Sequence, residues 1–205
     1  MLRLYDYAAS ANCLKVRLLL AQLGLRYERV PVDIFAGEAS TPEFLAMNPA
    51  GRTPVLQLET GEALPESNAI LLYLAEGTRL LPFDRLGHAQ VLQWLFFEQN
   101  LLEPNAGSAR FWKLTGRAEQ RPDVFRRFLE VGTSAVEILE RHLSSHEFLA
   151  NGAYSVADIS VYAYAHVAHE AGLKPGPAVG AWLGRVEAQP GFVNDLEPYA
   201  ANAHI

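Results

Sequence analysis

The 205-residue sequence predicts an α/β region with the element order βαβαββα, followed by an all-helical region. Short apolar runs alternate with helix-like segments as far as residue 77, which is typical of mixed strands and helices. From residue 87 onward, only long segments with helical periodicity remain. Pro82 interrupts regular structure between the two regions. The sequence therefore predicts one domain at residues 1–77, a linker at 78–86 and a helical domain at 87–205.

Turn and cap residues set the element boundaries of the first region. Thr41 followed by Pro42 predicts a helix start, because threonine caps helices and proline suits the first helical position. The first strand, helix and second strand follow one another so closely that we expect a right-handed parallel crossover. The predicted elements are strand 2–5, helix 12–23, strand 27–32, a short helix from 42, strands 55–58 and 62–64, and a helix from 67 to 77.

The second region contains four helix-like segments, at residues 88–115, 122–142, from 156 onward, and 178–189. Pro104 lies inside the first of them and predicts a kink or break. Ser155 is expected to cap the third helix, with Asp158 at the third helical position reaching back as a short form of the capping box. These features indicate a domain without strands.

Composition excludes several classes of function. The net charge of −6 argues against nucleic acid as the main partner. No apolar run reaches the 18 or so residues that a membrane span needs, and the N-terminus does not resemble a signal peptide. The single cysteine, Cys13, rules out an internal disulfide framework and indicates a reducing, cytoplasmic location.

Two ordered motifs carry a family resemblance. The pattern Asn-Pro-x-Gly-Arg-x-Pro-x-Leu covers residues 48–56, and Glu-Ser-x-Ala-Ile-x-x-Tyr-Leu covers residues 66–74. Together they resemble the glutathione-binding half of the soluble glutathione S-transferase family. The resemblance implies a thioredoxin-like first domain, glutathione as co-substrate, a small hydrophobic electrophile or disulfide as second substrate, and a homodimer. It does not imply a membrane or nucleic-acid partner.

A glutathione enzyme must form a thiolate near neutral pH. A thiol ionises near pH 8.5, so lowering its pKa by about two units requires roughly 2.7 kcal/mol of thiolate stabilisation. The resemblance implies that Ser10 supplies the hydroxyl found in bacterial and theta-like members, and that Asn12 matches the asparagine of the Ser/Thr-x-Asn (theta/nu-like) subgroup. We expect Ser10 to donate to the thiolate with help from Asn12. The alternative is that either residue only caps the first helix.

The resemblance also implies the remaining glutathione contacts. Glu66 faces the ammonium of the γ-glutamyl group and Ser67 faces its carboxylate at a helix start. The backbone of Thr53, before a cis Pro54, pairs with the cysteinyl backbone. Arg52 reaches the glycyl carboxylate; the alternative for this residue is a solvated loop charge.

Other chemistry-bearing residues are weaker candidates. Relatives that use a cysteine have it at the position of Ser10, so we interpret Cys13 as structural, the alternative being a mixed disulfide with glutathione. His142 and His146 are four residues apart, but no third ligand is apparent and we expect no metal. The family places electrophile contacts on the long helix, and the corresponding residues here are Asn100, Asn105, Ser108 and Phe111.

The prediction is therefore a cytoplasmic glutathione transferase that activates glutathione and transfers it to an apolar electrophile. Two alternatives remain at this point. One is a glutathione-dependent disulfide-bond reductase on the same fold, and the other is a non-catalytic binding or interaction protein, because a fold does not fix a reaction.

Overall fold

The computed structural model describes residues 1–204 and divides them into two compact units. The first unit comprises Met1–Ala75 together with Pro190–Ala203. The second comprises Glu76–Gln189 with His204. The first unit is a thioredoxin-like arrangement of sheet and helices and the second is helical, which confirms the predicted fold class.

The first unit is built around a four-stranded mixed sheet of order β2-β1-β3-β4. Strand β1 is parallel to β2 and antiparallel to β3, and β4 is antiparallel to β3. The elements are β1 (Leu2–Asp6), α1 (Ala11–Gln22), β2 (Tyr27–Pro31), α2 (Pro42–Met47), β3 (Val55–Gln57), β4 (Ala63–Pro65) and α3 (Ser67–Ala75). The order matches the predicted βαβαββα.

Alternating side chains of the central strands bury both faces of this sheet. On one face, Leu4 and Leu56 form a core with Val16 of α1 and Ile70 of α3. On the other face, Val55 packs with Phe44 of α2 and with Val32. Because successive strand residues point to opposite faces, neighbours such as Val55 and Leu56 serve different layers. The sheet therefore lies between α1 and α3 on one side and α2 on the other.

The segment Pro190–Ala203, here called the C-terminal segment, belongs to the first unit, whereas the sequence predicts it as part of the helical domain. Arg17 of α1, fully buried, donates from Nη1 to Asp6 Oδ1 at 2.6 Å and from Nε to Asp195 Oδ1 at 2.7 Å. The backbone N–H of Glu197 donates to Ala8 O at 3.2 Å. The C-terminal segment thus holds the turn that precedes α1.

The second unit consists of α4 (Arg85–Phe97), a π-helix (Glu98–Gly107), α5 (Ser108–Leu114), α6 (Pro122–Leu143), α7 (Val156–Ala165), α8 (Ala168–Ala171) and α9 (Pro177–Glu187). Asp84 caps α4, with its Oδ1 accepting from Gly87 N at 2.8 Å. Within residues 1–204, no helix combines the length and the apolar character needed to cross a bilayer.

Pro104 does not break the helix in which it lies. The helical path continues from α4 through the π-helix into α5, and Pro104 lies inside the π-helix. Proline has no N–H and its ring crowds the preceding turn, and the wider π turn relieves that conflict. The side chain of Asn105 donates to Leu101 O at 2.8 Å, which satisfies a carbonyl of the same segment. The sequence therefore predicts where the helix becomes irregular but not that the irregular segment is a π-helix.

Asp158 connects the start of α7 to two other elements of the second unit. Its Oδ2 accepts from Ser155 N at 3.0 Å, and the Ser155 hydroxyl accepts from Ala157 N at 3.3 Å. Its Oδ1 accepts from Leu149 N at 3.0 Å and from the indole N–H of Trp182 at 2.9 Å. Asp158 is fully buried, so the donors Leu149 N, Ser155 N and the Trp182 indole N–H all depend on one carboxylate.

Candidate active site

The N-terminal ends of α1 and α3 meet in the first unit. The Ser67 hydroxyl, at the start of α3, donates to Asn12 Oδ1, in the first turn of α1, at 3.1 Å. The first N–H groups of a helix have no partner within the helix, and the helix dipole makes that end partially positive. Two such ends side by side form a site that suits anionic groups.

Ser10 caps α1 through its hydroxyl oxygen, and the same hydroxyl, by hydrogen bonding, opposes the rise that burial causes in the pKa of the neighbouring Cys13 thiol. Its Oγ accepts from Cys13 N at 3.3 Å, and its backbone is extended, as an N-cap requires. The side chain is half-buried rather than enclosed. A hydroxyl that accepts a hydrogen bond still has its own O–H to donate. Capping and donation to a bound thiolate are therefore compatible roles for Ser10.

Asn12 and Ser67 are connected to a third residue, Lys15, that the sequence did not single out for the site. The Lys15 ammonium donates to Ser67 Oγ at 3.3 Å. Lys15 is fully buried, whereas Asn12 is half-buried. The sequence does contain one signal, because Lys15 lies between the apolar residues Leu14 and Val16. A lysine in a buried segment almost always has a polar partner, so its position indicates a contact with another residue.

Asn48 shapes the loop that carries the predicted Arg52, Thr53 and Pro54. Its side-chain amide donates to Arg52 O at 2.7 Å, and its Oδ1 accepts from Ala50 N at 3.0 Å. Gly51 has a φ of 60°, where a Cβ would also lie 3.1 Å from a backbone oxygen of Ala39. The peptide bond between Thr53 and Pro54 is cis. The loop is therefore held by buried Asn48, while the Arg52 side chain is exposed.

Glu66 and Ser67 differ in exposure although they are adjacent. Glu66 is exposed and has a φ of 72°, in the left-handed region, and its backbone oxygen accepts from Ile70 N at 2.9 Å. Ser67 is buried. The charged carboxylate of Glu66 thus lies at the surface beside the polar, buried start of α3.

Cys13 is enclosed by the turn that Ser10 belongs to. Its side chain is inaccessible to solvent, and its Sγ accepts from Tyr7 N at 3.4 Å. Burial, with a smaller effect from Asp6, raises the pKa of the thiol to about 12, although hydrogen bonds from Thr53, Tyr7 and Ser10 oppose the rise. Cys13 is therefore a protonated thiol at neutral pH.

We expect native Cys13 to resist both alkylation and mixed-disulfide formation with oxidised glutathione. Thiolates are the reactive form, so a buried thiol with a pKa of about 12 reacts slowly. Iodoacetamide labelling followed by mass spectrometry should modify Cys13 in guanidinium chloride and leave it unmodified in native buffer. A glutathione adduct on the native protein after treatment with oxidised glutathione would contradict this assignment.

The remaining predicted residues lie in the second unit. Asn100 and Asn105 are on the π-helix, and Ser108 and Phe111 are on α5. Asn100 is exposed and the other three are half-buried. The guanidinium of Arg117 lies over the Phe111 ring, 4.7 Å from its centroid. The four positions therefore follow one continuous helical path.

No metal-binding cluster is present in the part of the chain that the structure describes, residues 1–204. His142 and His146 stack with ring centroids 4.0 Å apart. His142 Nε2 is 3.1 Å from Leu149 O and His146 Nδ1 is 2.9 Å from His142 O. Both rings are thus engaged with backbone carbonyls.

Comparison with known proteins gives a consistent assignment. The family model described as the N-terminal domain of glutathione S-transferase matches residues 1–76. Glutathione S-transferase 3 of Zea mays is 33% identical, over 93% of this chain and 91% of its own length. The disulfide-bond oxidoreductase YfcG of Escherichia coli is 31% identical, over 93% of this chain and 92% of its own length.

Solved structures agree with the sequence comparison. A possible glutathione S-transferase from Rhodopseudomonas palustris is 46% identical with a TM-score of 0.92, covering 96% of this chain and 98% of its own. A glutathione transferase family member from Pseudomonas fluorescens, solved with two glutathione bound, is 27% identical with a TM-score of 0.83, covering 96% and 92%. On these similarities, which extend over nearly its whole length, the chain belongs to the glutathione S-transferase family.

Proposed function

We propose that this chain is a glutathione transferase of bacterial type, with Ser10 and Asn12 activating the glutathione thiol. The observation that carries the proposal is the meeting of the α1 and α3 N-termini through Asn12 and Ser67. A half-buried hydroxyl and a half-buried amide lie there, while the cysteine of the same turn is buried. The nucleophile is therefore the thiol of glutathione and not a protein cysteine.

The polar and charged groups near the N-termini of α1 and α3 complement the charged ends of glutathione. We assign the γ-glutamyl carboxylate to the start of α3, where Ser67 offers a backbone N–H, since its hydroxyl hydrogen is directed to Asn12. Glu66, exposed beside it, pairs with the ammonium, and exposed Arg52 pairs with the glycyl carboxylate. The backbone of Thr53 before cis Pro54 pairs with the cysteinyl group as an added strand.

Thiolate formation is the step that these residues assist. The thiol releases its proton to solvent, and the sulfur anion is stabilised by the Ser10 O–H, the Asn12 amide and the α1 N-terminus. With an aryl halide, the sulfur attacks the ring carbon, a C–S bond forms and halide leaves. Holding both reactants in one orientation supplies part of the rate. We assign contacts with the apolar electrophile to Asn100, Asn105, Ser108 and Phe111.

Disulfide reduction is the second candidate, and the similarity to the E. coli disulfide-bond oxidoreductase favours it. In this reaction the glutathione thiolate attacks one sulfur of the substrate, and a mixed disulfide forms as the other sulfur leaves as a thiolate. A second glutathione then attacks the mixed disulfide, which gives oxidised glutathione and the second reduced thiol. The step uses the same activated thiolate and needs no protein cysteine.

Turnover of two substrates by the same preparation distinguishes the candidates. We expect glutathione-dependent conjugation of 1-chloro-2,4-dinitrobenzene, followed by absorbance, to be faster than reduction of hydroxyethyl disulfide. The reverse order would assign the chain to the reductases. No rate with either substrate, together with no glutathione binding, would contradict the enzyme proposal and leave a binding or interaction protein.

We also propose a cytoplasmic homodimer. In the second unit, Phe83 and Leu86 are 81% and 69% exposed and lie three residues apart, and Phe96 is 63% exposed. Exposed apolar side chains of this size favour burial against another chain. Light scattering coupled to gel filtration should give twice the mass of 22.6 kDa, and a monomer across micromolar concentrations would contradict the dimer.

A further inference from the structure

We infer that Lys15 is a positioning residue for thiolate activation, acting through the hydrogen-bond chain Lys15, Ser67, Asn12. The inference rests on the proposed function, because its readout is the bound glutathione thiol. The chain joins α1 to α3 by two contacts, 3.3 Å from Lys15 Nζ to Ser67 Oγ and 3.1 Å from Ser67 Oγ to Asn12 Oδ1.

The first contact fixes the direction of the second. A lysine ammonium has N–H donors and no acceptor, so Ser67 must accept from Lys15. The Ser67 hydroxyl then has one hydrogen to donate, and Ser67 is buried, so that hydrogen needs a protein partner. Asn12 Oδ1 is that partner at 3.1 Å. Lys15 thereby specifies which end of the Asn12 amide faces Ser67.

The orientation of Asn12 decides what it can do for a thiolate. With Oδ1 directed to Ser67, the NH₂ group of the half-buried side chain is the end left for a ligand. An amide turned the other way would present its oxygen, which repels a sulfur anion. A chain of donors that begins at a cation also polarises each following bond. Lys15 therefore makes Asn12 a donor.

Burial strengthens the contribution of Lys15. Its side chain is fully enclosed, so its charge is less screened than a surface lysine would be. An ammonium in that position therefore polarises the hydrogen bond from Ser67 to Asn12 strongly. Lys15 does not need to touch glutathione for this effect.

The test compares the wild type with Lys15→Met, which keeps an unbranched apolar side chain close to the lysine stem in length and removes the ammonium. Glutathione transfer is measured at saturating electrophile and at pH 6.5 and 9, with the pKa of the bound thiol followed by thiolate absorbance. We expect kcat at saturating glutathione to fall about tenfold at pH 6.5, because kcat reports the pKa of the bound thiol, which returns part of the way towards about 8.5. At pH 9 the loss should be about threefold or less, since even an unassisted thiol is mostly ionised there.

A double-mutant cycle of Lys15 and Asn12 tests whether the effect of Lys15 passes through Asn12. In an Asn12→Ala background, Lys15→Met should cause no further rise of the thiol pKa, whereas independent effects would add. Additive effects, or an equal loss of kcat at both pH values, would overturn the inference. If K15M does not fold, Ser67→Ala replaces it in the test. This substitution removes the hydroxyl between Lys15 and Asn12, so it should give the same pH-dependent loss of activity.

The two proposals fail in different ways. A wild-type protein that does not bind glutathione, or binds it without lowering the thiol pKa, contradicts the proposed function. A wild type that lowers the thiol pKa, with K15M unchanged in pKa and folded by circular dichroism, overturns only the role of Lys15.

Discussion

Replacing Ser10 with Ala is expected to lower kcat/KM for glutathione transfer at pH 6.5 about a hundredfold. Removing one donor from a site that stabilises developing charge typically costs 10²–10³ in rate, roughly 3–4 kcal/mol. Here the loss follows from the thiol, whose pKa returns towards about 8.5 once the hydroxyl is gone. Steady-state rates and thiolate absorbance of the bound glutathione measure both quantities on one sample.

The capping role of Ser10 requires a matched control. Because Ser10 Oγ accepts from Cys13 N, Ser10→Ala should also destabilise the protein, by about 1 kcal/mol. Glycine is a tolerated N-cap and costs only a few tenths of a kcal/mol. Ser10→Gly should therefore lose activity as Ser10→Ala does while remaining close to wild type in stability, and Ser10→Thr should retain both. A Ser10→Gly variant with the wild-type thiol pKa would contradict the catalytic assignment.

Replacing Asp158 with Ala is expected to destabilise the second unit by about 4 kcal/mol. The substitution leaves three donors without their acceptor, namely Leu149 N, Ser155 N and the indole N–H of Trp182. Each buried donor left unsatisfied costs about 1–3 kcal/mol, and losses above 4 kcal/mol are rare for one substitution. Urea denaturation followed by tryptophan fluorescence reports this unit, since Trp94, Trp112 and Trp182 all lie in it.

Ser155→Ala is the matched control for Asp158. It removes the cap hydroxyl that accepts from Ala157 N but leaves the carboxylate and its three donors in place. We expect a loss of about 1 kcal/mol, as for other N-cap serines. Equal destabilisation by the two substitutions would show that Asp158 acts only as part of the cap, contrary to the hydrogen bonds described above.

Features that depend on neighbouring residues were predictable from the sequence. Thr41 caps α2 and Asp84 caps α4, because a cap needs only a side-chain oxygen and an N–H three residues on. Strand–turn–strand order in the first unit follows from short apolar runs separated by glycine and proline. These signals were sufficient for the fold class.

Features that depend on distant residues were not predictable from local patterns. Lys15 and Ser67 are 52 residues apart, and Arg17 and Asp195 are 178 apart, so no local pattern joins them. Asp158 was expected as a cap, yet its contact with Trp182, 24 residues away, emerges only in the folded unit. The same limit explains why the C-terminal segment was assigned to the helical domain. Charged residues in apolar segments were the only local sign of these contacts.

Titration of the purified protein with glutathione, with thiolate absorbance near 240 nm followed against pH, determines whether the site binds glutathione and activates its thiol. We expect saturable binding and a bound thiol whose pKa lies about two units below the free value of about 8.5. Binding with an unshifted thiol pKa would contradict activation by Ser10 and Asn12. An absence of binding would contradict the glutathione site itself.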